Sequence, residues 1–80
     1  MKDFPVENIA FQGSTLRVES LPLGVKRLVL SRPAVRNAFD ETMIQELRQG
    51  LEKLAAMAES GALRLLVLTG EGKVFCAGAD

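Results

Sequence analysis

LRLLVLTGEGKVFCAGAD, residues 63–80, is the stretch that decides the fold. Its first half is an apolar run that predicts a strand buried on both faces, as in a sheet covered on two sides. A glycine turn follows at residues 70–73, and the stretch ends on the small residues of positions 77–80. Small residues after a core strand let a ligand approach backbone N–H groups, so this turn is a candidate anion or oxyanion site.

The chain before this stretch predicts extended segments. Residues 7–12 form a short extended candidate, and residues 15–21 begin with the strict alternation typical of a half-buried strand. Residues 25–30 form another strand, separated from the previous one by the turn sequence Pro22–Gly24. The short Pro/Gly connection predicts an antiparallel hairpin.

A helix is predicted between the hairpin and the closing stretch. Asp40 is the natural N-cap and Gly61 a good C-terminal stop. Apolar side chains recur at three- and four-residue spacing, which predicts one buried stripe: Met43, Ile44, Leu47, Leu51, Leu54, Ala55 and Ala58. The order β-β-α-β favours a right-handed crossover between parallel strands at residues 25–30 and 63–69.

Composition narrows the classes of function. Eighty residues with 48% hydrophobic side chains suit part of a larger core better than a free-standing domain. The chain has no histidine and one cysteine, which excludes a His-based triad, a His-based zinc site and an internal disulfide. A net charge of zero gives no long-range attraction for nucleic acid or membranes. The lone cysteine and the lack of a targeting segment favour a cytoplasmic location.

Several candidate sites have simpler explanations. A phosphate loop around Gly72-Lys73 fails, because its first glycine would fall on Val67 and its Ser or Thr on Val74. Cys76 lies in an apolar context and is interpreted as a small hydrophobe rather than a nucleophile. Helix capping and a solvated face account for three carboxylates, those of Asp40, Glu41 and Glu46.

Two features remain open on the residues alone. Arg32 and Arg36 flank a proline turn before the helix, and either surface charge or a phosphate contact would explain them. Residues 77–80 read equally as a tight turn with Asp80 as the next N-cap and as an oxyanion site. The two interpretations of residues 77–80 are compatible.

Two separate motifs resemble the crotonase superfamily, the enoyl-CoA hydratases and isomerases. Residues 30–39, LSRPAVRNAF, resemble its L-N-R-P-x-x-x-N-A-L signature, with Ser31 and Phe39 in place of the commoner Asn and Leu. Residues 66–70, LVLTG, followed by residues 75–80, FCAGAD, resemble its L-T-G…F-x-A-G-A-D segment. The resemblance implies an α/β fold, a crotonase-like ββα spiral, of which this chain would form the first turns: hairpin, helix and buried parallel strand. Residues 1–80 would then be the N-terminal part of a single domain, ending before the rest of the active site.

The resemblance also implies roles for individual residues. Family members hold an acyl-CoA thioester oxygen with two backbone N–H groups, and the position after A-G, here Ala79, supplies one of them. The carbonyl of Ala77 resembles the position that contacts the CoA adenine, and Gly78 and Asp80 belong to the same CoA-binding segment. Ala34, Val35 and Arg36 match the loop that lines the CoA nucleotide and pantetheine, which brings Arg36 near a CoA phosphate.

The activity implied is that of an enzyme, with hydration of a 2-enoyl-CoA as the expected reaction. No metal or redox cofactor is implied, since CoA is part of the substrate, and the expected assembly is a homo-trimer or dimer of trimers. The second oxyanion donor and the catalytic carboxylates fall beyond residue 80, so the 80 residues alone are expected to be inactive. The alternative, which applies if the natural chain ends at Asp80, is a catalytically incomplete CoA-thioester-binding or subunit-interaction fragment. RNA binding is disfavoured, because the predicted helix offers only Arg48 and Lys53 against five acidic residues.

Overall fold

A four-stranded mixed sheet and one long helix make up the fold. The structure, a computed structural model, describes residues 5–78. The elements are β1 (Asn8–Gln12), β2 (Leu16–Ser20), β3 (Val25–Leu30), α1 (Glu41–Glu59) and β4 (Leu65–Gly70). The strands lie in the order β1-β2-β3-β4, with the β1–β2 and β2–β3 pairs antiparallel and the β3–β4 pair parallel. The predicted hairpin, helix and parallel strand are therefore confirmed.

The hairpin turn shows why the sequence folds back at this point. Pro22–Gly24 forms a single 3-10 turn in which Val25 N donates to Pro22 O, and a 2.8 Å hydrogen bond from Leu21 N to Val25 O closes the base of the hairpin loop. Leu23 and Gly24 both adopt positive φ, at 65° and 78°. Glycine takes this conformation without steric cost, while Leu23 is held in it with its side chain in solvent.

Helix α1 begins and ends where the sequence predicts. The Asp40 carboxylate accepts a 2.8 Å hydrogen bond from Met43 N and so satisfies one of the free donors of the first turn. At the other end Gly61 takes a φ of 81°, the left-handed conformation that stops a helix. Both ends are thus fixed by local chemistry rather than by packing.

The predicted apolar stripe of α1 is only partly buried. Met43 and Leu54 lie in the core with Leu16 and Val18 of β2, and the buried Gly50 faces the same two β2 side chains. The other side of the stripe faces outward: Ile44 is 51% exposed and Leu51 47%, and Ala55 and Ala58 are also exposed. The prediction of one buried stripe is wrong because the sheet covers a narrower arc of the helix than its apolar residues span.

The predicted burial of β4 is also wrong. Leu65 is 55% exposed and Leu68 58%, whereas Leu28 and Leu30 on the neighbouring strand are buried. Within residues 5–78, β4 is the edge strand of the sheet, and no further strand lies on its outer side. An apolar run indicates that both faces of a strand are packed against other parts of a protein. Residues 5–78 do not cover β4 in this way.

The sequence predicted that Glu46 lies on a solvated face of the helix, and this prediction is wrong. Its carboxylate reaches from α1 to the β1–β2 turn and accepts four hydrogen bonds of 2.6–3.0 Å from the N–H and hydroxyl groups of Ser14 and Thr15. Burial by itself would raise the pKa of Glu46, but these donors outweigh it and lower that pKa from 4.5 to about 2. Glu46 and Thr15 are 31 residues apart in sequence, so no local sequence pattern predicts their contact.

We expect Glu46 to make stability depend on acid pH. Because its folded-state pKa is lowered, its contribution is complete above the unfolded value near 4.5 and is lost as pH falls toward 2. Glu46→Gln should cost about 1–2 kcal/mol at neutral pH. Urea unfolding followed by circular dichroism at pH 7, 4 and 3 measures both effects.

The difference between wild type and Glu46→Gln should shrink as pH falls through this window. Glu52→Gln, an exposed carboxylate on the same helix, is the matched control and should change little. A pH-independent difference between Glu46→Gln and wild type would contradict the assignment.

Candidate functional site

Two loops meet at the end of the sheet where the parallel strands β3 and β4 finish. The first loop, residues 31–39, follows β3, and the second loop, residues 71–78, follows β4. Their strands are parallel neighbours with Leu30 opposite Gly70, so both chains leave the sheet side by side. A 2.8 Å hydrogen bond from Glu71 N to Leu30 O continues the ladder beyond the last strand pair. Ligands commonly bind at the carboxyl ends of parallel strands, where such loops converge.

Asn37 joins the two loops. Its side chain is fully buried. Its Oδ1 accepts from Arg32 N at 2.7 Å within the first loop, and its Nδ2 donates to Glu71 O and to Val74 O in the second loop, both at 2.8 Å. The backbone of Asn37 is left-handed, with φ 58°, a conformation that Asn tolerates better than most side chains.

The sequence interpretation assigned no role to Asn37. Its only signal was its place in the LSRPAVRNAF motif, and no local rule connects it to the second loop. A buried Asn is costly unless its amide is satisfied, and here partners 34 and 37 residues away satisfy it.

Backbone hydrogen bonds hold the second loop against the first. Ala77 N donates to Arg36 O at 3.0 Å, and Phe39 N donates to Gly78 O at 2.9 Å. Ala77 and Gly78 remain exposed, and Gly78 has a φ of 103°, a value that strongly favours glycine. The predicted oxyanion donor, Ala79, and the predicted contact Asp80 lie outside the described residues.

Gly70 allows the two loops to come this close. A Cβ at this position would lie 2.6 Å from Phe75 O and 2.7 Å from Asn37 Nδ2, well inside contact distance. The glycine is therefore required by packing, even though its own φ is ordinary. The sequence predicts a polar surface turn at residues 70–73, and this describes Gly72 and Lys73, which are both exposed, but not Gly70.

The structure separates the two arginines that the sequence left open. The Arg32 guanidinium donates to Ala38 O and lies 3.4 Å from the Asp40 carboxylate, so it ties the first loop to the start of α1. Arg36 is exposed and has a left-handed backbone, with φ 55°. Arg36 is thus the one of the pair whose side chain faces solvent at the junction of the loops.

A cleft of about 550 Å³ opens between the loops beside Arg36. Its lining brings together two cations, Arg36 and Lys73, and the carboxylate of Glu71. Glu71 accepts a hydrogen bond from the Arg17 guanidinium, which lowers the pKa of Glu71 against the opposing effect of burial. Glu71 is thus already paired with Arg17, and Arg36 and Lys73 are the two cations in the lining of the cleft.

Cys76 lies half-buried against the core, as expected for a small hydrophobe. Gly78 N lies 3.4 Å from its sulfur and donates to it, so the side chain also helps to shape the turn. Among residues 5–78 no group of three or more His, Cys, Asp or Glu side chains is arranged to hold a metal ion. The helix in this range is not of the length and apolarity needed to cross a membrane.

Comparisons with known proteins identify the family. The family model described as enoyl-CoA hydratase/isomerase matches residues 21–80. The chain belongs to the enoyl-CoA hydratase/isomerase family. Among solved structures, an enoyl-CoA hydratase/isomerase from Mycobacterium paratuberculosis superimposes with a TM-score of 0.71 at 33% identity, over 86% of this chain and 26% of that one. The crotonase-like α/β fold is thereby confirmed.

Curated relatives agree with the family model. "Probable enoyl-CoA hydratase echA6" of Mycobacterium leprae is 44% identical over 57 residues, 71% of this chain and 23% of the relative. "Enoyl-CoA hydratase domain-containing protein 2, mitochondrial" of Homo sapiens is 38% identical over 72 residues, 85% of this chain and 24% of the relative. The chain therefore spans about a quarter of the length of these members of the enoyl-CoA hydratase/isomerase family.

Five predicted CoA-contacting residues of this family member fall at one place in the fold. Ala34, Val35 and Arg36 are exposed on the first loop, and Ala77 and Gly78 are exposed on the second. The hydrogen bond from Ala77 N to Arg36 O joins the two groups directly. The sixth, Asp80, lies outside the described residues.

Proposed function

We propose that this chain forms the CoA-binding and oxyanion-donating part of an enzyme that acts on acyl-CoA thioesters, with hydration of a 2-enoyl-CoA as its reaction. The proposal rests on the hydrogen bonds that hold the first and second loops together. Hydrogen bonds from Ala77 N to Arg36 O and from Phe39 N to Gly78 O fix the exposed backbone that leads directly into Ala79. A backbone donor is useful in catalysis only when it is held in place before the substrate arrives.

The chemistry needs this kind of donor. Adding water across the double bond of a 2-enoyl thioester builds negative charge on the thioester oxygen. A fixed N–H group aimed at that oxygen stabilises the charge, and removing one such donor commonly costs about 2.7–4 kcal/mol. Ala79 N–H is proposed as one donor, while the second donor and the carboxylates that handle water and proton belong to later segments of a full-length protein.

The cleft beside the loops suits the nucleotide end of CoA. Arg36 and Lys73 bring two positive charges to its lining, and phosphates are the most strongly charged groups of CoA. Ala34 and Val35 are proposed to line the pantetheine and nucleotide, and the carbonyl of Ala77 to accept from the adenine. Gly78 and Asp80 complete the CoA-binding segment in this proposal.

Arg36→Gln is expected to weaken CoA binding without changing the chemical step. The KM for crotonyl-CoA should rise about 2- to 5-fold, as expected for loss of an exposed charge contact, with kcat unchanged. Arg48→Gln, which removes an exposed cation from α1, is the matched control and should leave both constants unchanged. A KM for Arg36→Gln equal to that of wild type would remove Arg36 from the proposed phosphate contact.

Turnover of crotonyl-CoA by the full-length protein, followed by loss of the enoyl absorbance, tests the proposed reaction. Formation of the 3-hydroxyacyl product supports hydration, and a shifted double bond without added water would instead assign an isomerase. Binding of a CoA thioester without any turnover would support the alternative, a catalytically incomplete protein that binds CoA thioesters or a partner subunit. A homo-trimer or dimer of trimers in the cytoplasm is proposed for the full-length protein, and sedimentation and imaging test these points.

A further inference from the structure

We propose that Asn37 is the positioning residue that sets the backbone of the second loop ahead of the oxyanion donor. The inference rests on the proposed function, because it concerns how the Ala79 N–H is held. Asn37 contacts no substrate in this proposal. It acts through the peptide groups of the second loop, and its effect is therefore on alignment rather than on binding.

The hydrogen bonds of Asn37 make it a bridge rather than a local cap. Both N–H groups of its amide are used on the second loop, one on Glu71 O and one on Val74 O, at 2.8 Å each. Its oxygen is used on its own loop, by Arg32 N at 2.7 Å. The side chain is fully buried, so water cannot replace these partners when they are lost.

Other side chains cannot repeat this arrangement. An ionised Asp is an acceptor only, so it could take the hydrogen bond from Arg32 N but could give none to the second loop. Gln carries one methylene more in a site where Nδ2 of Asn37 already lies 2.7 Å from the position of a Cβ on Gly70. The left-handed backbone at residue 37 further favours Asn over most residues of similar size.

The bridge lies next to the contacts that lead to residue 79. Arg36, adjacent to Asn37 in sequence, accepts from Ala77 N, and Phe39, two residues further along, donates to Gly78 O. The amide of Asn37 thus fixes residues 71–74, and its neighbours fix residues 77–78, all from one rigid segment. Misplacement of a reacting group by about 1 Å can cost about 10²-fold in rate. Releasing this segment should consequently reduce kcat.

Asn37→Gly in the full-length protein tests the inference. Glycine keeps the left-handed backbone and removes only the side chain, so its effect reports the three hydrogen bonds. The matched control is Leu54→Ala, which destabilises the core from the buried face of α1 and removes none of the hydrogen bonds between the two loops. Both variants are assayed with crotonyl-CoA well below their melting temperatures, and amide hydrogen exchange is measured on the same samples.

We expect Asn37→Gly to lower kcat by about 10-fold or more, with KM changed less than about 3-fold. In Asn37→Gly, hydrogen exchange at the Phe39 and Ala77 amides should accelerate relative to exchange in β2. Leu54→Ala should leave kcat within about 2-fold of wild type. Unchanged kcat and unchanged exchange in folded Asn37→Gly would overturn the inference, as would an equal loss of kcat in Leu54→Ala. If wild type does not turn over crotonyl-CoA, the proposed function fails instead, and the exchange measurement alone decides whether Asn37 holds the second loop.

Discussion

Ala79→Pro in the full-length protein is expected to lower kcat for crotonyl-CoA by about 10²–10³-fold. Proline has no backbone N–H, so the substitution deletes the proposed donor itself rather than weakening its surroundings. The fold should persist, because the residues that lead into position 79 are exposed and lie at the end of the second loop. Steady-state kinetics gives the loss, and a thermal melt by circular dichroism shows whether the protein is still folded.

Ala79→Gly is the matched control for this experiment. It removes a methyl group and keeps the N–H, so its kcat should stay within about 10-fold of wild type if the donor is the N–H alone. Near-normal turnover in folded Ala79→Pro would contradict the assignment of Ala79 N–H as an oxyanion donor. Equal inactivation of the proline and glycine variants would show that the side chain, not the N–H, is what matters at this position.

Gly70→Ala should be among the most destabilising single-methyl changes in this chain, at about 3 kcal/mol. The added Cβ would lie 2.6 Å from Phe75 O and 2.7 Å from Asn37 Nδ2. Forcing a methyl group into packed structure typically costs about 1–3 kcal/mol, and disturbing a buried hydrogen-bonded amide costs a similar amount. Urea denaturation followed by circular dichroism measures the change in the free energy of unfolding.

Gly50→Ala provides an internal comparison at a glycine that is more deeply buried than Gly70. A Cβ there would meet Val18 Cγ2 at 3.6 Å and Leu16 Cδ1 at 3.8 Å, which are ordinary contacts. Because alanine is the better helix former by about 1 kcal/mol, this variant should be neutral or more stable than wild type. Similar destabilisation by the two substitutions would mean that the close approach at Gly70 has no special cost.

Local chemistry in the sequence was enough to predict the order of β2, β3, α1 and β4 and the β2–β3 and β3–β4 pairings, whereas the pairing of β1 with β2 was not predicted. The Asp40 cap, the Gly61 stop and the Pro22–Gly24 turn each act within a few residues, and each is found where predicted. The same holds for the β3–β4 parallel pair, which follows from a helix connecting two strands. The handedness of this crossover remains a prediction.

Burial was predicted less well, and for one physical reason. Apolar spacing says which side chains avoid water but not which surface will cover them. The stripe on α1 therefore included Ile44 and Leu51, and β4 was expected to be buried although Leu65 and Leu68 face solvent among residues 5–78. Both errors concern surfaces that residues 5–78 leave uncovered.

By itself the sequence determined the β-β-α-β order of β2, β3, α1 and β4, the family and the two motifs that carry the candidate site. Only the tertiary structure decided how those motifs meet: Asn37 bridging to Val74, Glu46 reaching the β1–β2 turn, and Gly70 leaving room for both loops. The tertiary structure also distinguished the two arginines. Arg32 lies against Asp40, whereas Arg36 lines the cleft. The physical reason is range: caps and turns act within a few residues, whereas a buried amide or carboxylate is satisfied by whatever the fold brings within about 3 Å.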